Sequence, residues 1–157
     1  MSAMIFIHGL ESSSRGTKGV FFRERFPDML IPDFTGSLQE RMEALYEELS
    51  GKSGIRLVGS SFGGLMATLF ALEHESRVSR MVLLAPALNF MKSFPHSEAA
   101  LSVPVQIYHG KGDQVIPLKE VHAISLKTFR SLSFHTVDDD HYLHRTFTVI
   151  DWKSCLS

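Results

Sequence analysis

The sequence predicts an α/β protein: a mostly parallel sheet of about six strands with helices on both faces. Three observations carry this. Short apolar runs recur along all 157 residues. Most of them are continuous rather than alternating, as suits strands covered on both sides. The stretches between them carry helical spacing or turn-rich composition.

In chain order, residues 3–8 form the first apolar run, ending in His8-Gly9, and the polar loop 10–19 leads to a helical pattern over 20–26. Met29, Leu30 and Ile31 make a second short strand, stopped by Pro32. Ser37 with Glu40 three residues on is a capping box, and Leu38, Met42, Leu45, Tyr46 and Leu49 mark an amphipathic helix that Gly51 ends. Residues 55–58 are a strand, and 65–75 a helix apolar around most of its circumference. Residues 81–85 are another apolar strand, ended by Pro86, and 88–103 are irregular. A strand over 103–109 turns through Gly110 to Asp113 toward Pro117, a first-turn residue for a helix reaching Phe129. Residues 132–137 supply the last strand, and 141–152 read as a C-terminal helix. No repeat, linker or low-complexity tract interrupts the series, so residues 1–157 are expected to form a single domain.

Composition excludes several classes. With 16 Lys and Arg against 17 Asp and Glu, the formal net charge of −1 gives no reason to expect nucleic acid or an anionic membrane as partner. The start lacks a basic region before its apolar run and no apolar run approaches ~18 residues, so a cytoplasmic protein is expected. The single Cys155 has no obvious base beside it and is expected to serve packing or surface. Oligomeric state is not legible.

The central motif is Gly59-Ser60-Ser61-Phe62-Gly63-Gly64, between a strand and a helix. Glycines two residues before and after a serine let the chain turn sharply and hold its hydroxyl clear, which makes Ser61 a candidate nucleophile. The same residues also suit a strand that simply ends in a Gly/Ser turn. In an open parallel sheet, functional groups collect after the carboxyl ends of strands. Those positions hold His8-Gly9-Leu10, Ser61, Asp113 and His141, and the order Ser, Asp, His is that of one serine-hydrolase arrangement. Neither G-x-G-x-x-G nor G-x-x-x-x-G-K-[ST] spacing is present, and no H-E-x-x-H, so neither a cofactor nor a metal is expected.

On these residues, together with Lys18 and Pro117, the sequence resembles the α/β-hydrolase superfamily, and more narrowly its small capless serine esterases of the YqiA type. The resemblance spans nearly the whole chain. It implies a minimal α/β-hydrolase fold without the usual leading antiparallel strands, with spatial strand order 2-1-3-4-5-6. It implies a hydrolase of carboxylic esters or thioesters of small or short-acyl molecules, with Ser61 as nucleophile, His141 as base and Asp113 as the acid. The backbone N–H groups of Leu10 and Phe62 would form the oxyanion hole. An amidase or peptidase using the same residues, and a non-catalytic binding protein on the same fold, remain open.

Among eight histidines, His144 is the rival to His141. His8 and His109 are read as packing or loop-ordering residues, and His74, His96, His122 and His135 as surface or structural ones. The run Asp138-Asp139-Asp140 is expected to be a solvated turn in which Asp140 orders the loop. Residues 88–103 are too few for a multi-helix lid, and Leu88, Phe90, Met91 and Phe94 are candidates for an apolar substrate wall beside Ser61, with plain packing as the other reading.

Overall fold

A computed structural model describes residues 1–94 and 100–157; the expectation for His96 lies outside the described residues. Five strands, β1 (Met4–Ile7), β2 (Ile55–Ser60), β3 (Val78–Leu84), β4 (Val105–Gly110) and β5 (Leu132–Val137), form one sheet in the order β1-β2-β3-β4-β5. Every pairing is parallel. The expected sixth strand is reduced to one parallel bridge, Leu30 to Ile5, held by Phe6 N–H to Leu30 O and Leu30 N–H to Met4 O, both 2.9 Å. It does lie on the outer side of β1, as expected, but Pro32, which has no N–H to give, follows it too closely for a ladder.

The strands are buried on both faces, and their alternation sorts two cores. Ile5, Ile7, Ile55, Leu57, Met81, Leu83, Val105 and Ile107 face one side. There they meet α2 (Leu38–Glu48), α3 (Phe62–His74), α4 (Leu118–Thr128) and the 3₁₀ turn Leu88–Ser93. Phe6, Val58, Val82 and Leu84 face the other, against α1 (Thr17–Arg25) and the C-terminal α5 (Trp152–Leu156). Phe22 is the hub of that second core. Its ring lies 5.0 Å from Phe6, 5.5 Å from Phe147 and 4.8 Å from Trp152, the last two edge-on. The capping box forms: Glu40 N–H donates to Ser37 Oγ, and Ser37 N–H to Glu40 Oε1, each at 3.1 Å.

The expected helix over 141–152 does not form. Residues 141–146 are turns, a 3₁₀ turn covers Phe147–Val149, and only Trp152–Leu156 is helical. The cause is local. Asp139 accepts the N–H groups of Asp140, Arg145 and Thr146, and Asp140 accepts those of Tyr142 and His144. Such side-chain bonds compete with the helical ladder. Leu143 adds a left-handed φ of 54° that a helix cannot contain.

Truncating the hub should cost what a large buried ring costs. Phe22→Ala is expected to lower unfolding free energy by about 3–5 kcal/mol in urea titrations, whereas Phe90→Ala, at a residue that is 48% exposed, should change it by about 0.5 kcal/mol or less.

Candidate active site

The elbow is built by close backbone approach. A Cβ on Gly63 would lie 2.0 Å from Ile7 O, and one on Gly59 2.4 Å from Gly63 O, so side chains are excluded at both positions. The start of α3 can therefore press against the ends of β1 and β2. Ser61 sits at the turn with φ 54° and ψ −116°, as N-cap of α3. A non-glycine residue there costs on the order of 1–3 kcal/mol and persists only where its surroundings hold it. Here Ser61 N–H donates to Leu84 O at 2.9 Å, and Ser61 O accepts from Gly64 and Ala87 at 2.9 Å.

The turn after β1 lies against this serine. A Cβ on Gly9 would meet Ser61 Cβ at 3.4 Å and Oγ at 3.9 Å. Among the described residues no acceptor takes the N–H of Leu10 or of Phe62; Phe62, first in its helix, has no intrahelical partner to give to. The turn is held from behind by His8, as its reading as a loop-ordering residue expects, and by Asp33, which spacing gave no reason to single out. His8 Nε2 accepts the Phe34 N–H at 2.9 Å, leaving Nδ1–H to donate to Gly9 O at 2.7 Å. Asp33 accepts the Ser14 N–H at 2.7 Å and its hydroxyl at 3.0 Å, and these bonds hold its carboxyl below the usual range.

At the far side of the sheet Asp113 and His141 meet. His141 Nδ1 lies 2.8 Å from Asp113 Oδ2, with the Asp113 side chain wholly buried and that of His141 10% exposed. The other oxygen, Oδ1, accepts the N–H groups of Val115 and Ile116, both at 2.8 Å. Burial alone would raise the Asp113 carboxyl. Hydrogen bonds from His109, His141, Ile116 and Val115 outweigh it and hold the group well below the ordinary carboxylate range. No hydrogen bond joins Ser61 Oγ to His141; Ser61 stands after the end of β2 and His141 after the end of β5.

The other acidic and histidine residues take distinct places. Asp138 is 93% exposed at its side chain. Asp139 is buried, its carboxyl lowered by backbone and side-chain bonds that overcome desolvation, so it organises the His141 loop together with Asp140 and is no part of a solvated turn. His144 Nδ1 pairs with Asp140 Oδ2 at 2.6 Å on the open surface, 69% and 47% exposed, turned to a different carboxylate from the one His141 uses. His74 packs on Tyr46 and Phe70, His122 on Phe134, and His135 stacks on Tyr108. Lys18 Nζ donates to Tyr142 O at 2.9 Å and ties α1 to the loop beside His141. Burial lowers its ammonium, against Asp140 and Asp139. Cys155 is buried in the second core, and burial pushes its thiol up.

Of the four candidate wall residues, Leu88 and Met91 are 0% and 1% exposed and belong to the first core, so they present no surface to a substrate. Phe90 is at the surface. Phe94 lines a cleft of about 500 Å³ with Leu38, Met42, Tyr46 and Leu69, between α2 and α3. No group of three or more His, Cys, Asp or Glu among the described residues is placed to hold a metal ion, and no helix among them is long and apolar enough to cross a membrane.

A family model for the alpha/beta hydrolase fold matches residues 9–102, more than half of the chain. The chain belongs to the alpha/beta hydrolase family. A hydrolase of the alpha/beta superfamily from Xanthomonas campestris pv. campestris is 27% identical, with a TM-score of 0.73 over 91% of this chain and 88% of that one. Est1E from Butyrivibrio proteoclasticus, seen with ferulic acid bound, is 16% identical with a TM-score of 0.77 over 95% and 85%; at that identity the likeness is one of fold. A probable 1-acylglycerol-3-phosphate O-acyltransferase of Oryza sativa subsp. japonica is 30% identical over 122 residues, 63% of this chain and 28% of that protein. The chain thus spans little more than a quarter of the length of that curated relative.

The lowered carboxyl of Asp113 has a sign that can be read in stability. Because its folded value lies below the unfolded one of ~3.9, its stabilisation is complete above that value and is lost as pH falls through it toward the folded value. Urea titrations of wild type and Asp113→Asn should show a stability gap at pH 6 that narrows by on the order of 1–3 kcal/mol by pH 2.5. A gap independent of pH would mean that the carboxylate charge is not what the four donors hold.

Proposed function

We propose that residues 1–157 form a single-domain cytoplasmic serine hydrolase of carboxylic esters or thioesters, with Ser61 as nucleophile, His141 as general base and acid, and Asp113 as the group that orients His141. The observation that carries the reading is the Asp113–His141 bond of 2.8 Å made through Nδ1. An ionised carboxylate can only accept, so the shared hydrogen belongs to Nδ1 and Nε2 is left as the lone pair that can take a proton.

A serine hydroxyl is a weak nucleophile at neutral pH. As Ser61 Oγ bonds to the acyl carbon, His141 Nε2 takes its proton, and the carbonyl π electrons move onto oxygen. The oxyanion is received by the Leu10 and Phe62 N–H groups, which have no other acceptor to leave. Collapse expels the alcohol or thiol, which carries away the proton from Nε2, and an acyl-Ser61 ester remains. Water repeats the sequence with His141 as base, releasing the acid. Asp113 keeps the ring in one tautomer and stabilises its cation throughout.

The likeness to the Oryza O-acyltransferase favours one second reading: the same acyl-enzyme resolved by an alcohol oxygen in place of water. Adding glycerol to a neutral aryl ester assay separates the two. Transfer predicts acylglycerol as the main product, and hydrolysis predicts free acid.

Ser61→Ala should abolish ester hydrolysis with the fold intact by circular dichroism, while Ser60→Ala stays active. The reverse pattern would put the nucleophile one residue earlier. Asp113→Asn, which keeps shape and removes charge, should cost at least ~10²-fold in kcat, against less than tenfold for Asp138→Asn at the exposed end of the turn. Near-normal activity in Asp113→Asn would remove it from the mechanism. kcat/KM should rise between pH 5 and 8, since the base must be neutral to accept the serine proton.

A further inference from the structure

The carboxylate that holds His141 is shared with a second histidine. The alternation of β4 turns His109 to the α3 and α4 side of the sheet, where it is 0% exposed. Its Nε2 lies 3.0 Å from Ile116 O and 3.3 Å from Asp113 Oδ2, the same oxygen that meets His141 at 2.8 Å. A carbonyl and a carboxylate both accept, so the nitrogen facing them carries the hydrogen. The other ring nitrogen, Nδ1, is buried without a partner among the described residues. A proton there would be an unsatisfied donor on a buried cation, which is costly, whereas a bare lone pair costs much less. His109 thus turns its Nε2–H toward Ile116 O and Asp113 Oδ2.

We propose that His109 is a positioning residue of the site, donating a second hydrogen bond to Asp113 Oδ2 and so setting how strongly Asp113 holds His141 and its cation. The inference rests on the serine-hydrolase reading and deepens it. Oδ1 of Asp113 accepts from Val115 and Ile116, and Oδ2 accepts from His141 with His109 Nε2 3.3 Å from it, so the proposed bond would occupy the last free side of Oδ2. The carboxylate cannot rotate without losing bonds, and its charge is divided between two imidazoles. Take away the His109 donor and the charge on Oδ2 acts on His141 alone, which stabilises the imidazolium against the neutral base. The carboxylate also loses a restraint. Among the described residues, other charged and titratable groups near the pair are Asp139 and Asp140 in the His141 loop, Tyr142 with its ring centroid 5.3 Å from that of His141, and Lys18 of α1 on the Tyr142 carbonyl. None of these is changed by a substitution at 109.

The alternative is that His109 only closes the turn through Ile116 O, which would alter stability but not the proton affinity of the base. Three proteins separate them: wild type, His109→Leu, which removes the donor within an apolar side chain, and His109→Gln, whose amide N–H can replace it. With a neutral short-acyl aryl ester, His109→Leu should move the acid limb of kcat/KM to higher pH by about half a unit or more. Its plateau kcat should fall by roughly 3- to 30-fold, with KM within twofold of wild type. His109→Gln should return both most of the way. Nitrogen-15 NMR of the wild-type imidazoles at pH 8 supplies the second measurement: His109 should carry its hydrogen on Nε2, with Nδ1 bare. An unmoved acid limb in a folded His109→Leu, a Gln variant that behaves like Leu, or a wild-type His109 protonated at Nδ1 would each overturn the proposal. Should His109→Leu fail to fold, the Gln variant and the wild-type spectrum decide it. If wild type hydrolyses no ester, it is the hydrolase reading that falls, and the spectrum alone judges the bond from His109 to Asp113.

Discussion

The structure depends on a backbone contact: the start of α3 lies so close to the end of β1 that Gly63 has room for no side chain beside Ile7 O. From that approach comes the strained turn at Ser61, with φ 54°, and from the turn comes a hydroxyl held at the strand ends. The glycines do not stabilise the turn so much as permit it. What holds it is the set of bonds to Leu84, Gly64 and Ala87, together with the apolar body of α3, whose residues from Gly63 to Ala71 are all buried. A helix anchored this firmly in the core can keep one residue at its N-terminus in a sparsely populated conformation.

The same economy recurs nearby. Among the described residues, three non-glycine residues have positive φ: Ser61, Ala85 and Leu143. They follow β2, β3 and β5, and the first and last of them lie in loops that carry candidate site residues. Around His141, irregular backbone is specified by carboxylates: Asp139 and Asp140 take five N–H groups of their own loop, and Lys18 reaches across from α1 to the carbonyl of Tyr142. Around Leu10, Asp33 and His8 do the equivalent work. Acidic side chains that accept several backbone N–H groups are ordered and ionised, which is why these loops can be irregular and still fix a ring or an amide in place.

Apolar runs and glycine positions made the sheet type and the elbow legible in the sequence, because burial on both faces and close backbone approach leave direct marks on residue choice, while the strand order followed only from the family resemblance. The capping box at Ser37 and Glu40 was legible for the same reason. The segment after β5 was not: Leu143, Phe147 and Ile150 have helical spacing, and the pattern gives no weight to carboxylates that take N–H groups from the ladder. Met29 to Ile31 looked like a full strand, yet the proline that stops it leaves a single bridge. At the site, the residue types at strand ends pointed to Asp113 and His141, and the structure brings those two together. His109, Lys18 and Asp33 could not be weighed in the same way, because their partners lie in other elements and nothing in local spacing announces them.

The central claim is that Ser61 is an activated nucleophile. Reaction with a fluorophosphonate, followed by mass spectrometry of the digested protein, tests it without assuming any substrate. The account predicts a single phosphonylated peptide with the adduct on Ser61, lost in Ser61→Ala and strongly slowed in His141→Ala. Absence of labelling in folded wild-type protein, or an adduct on Ser60 or any other serine, would contradict it.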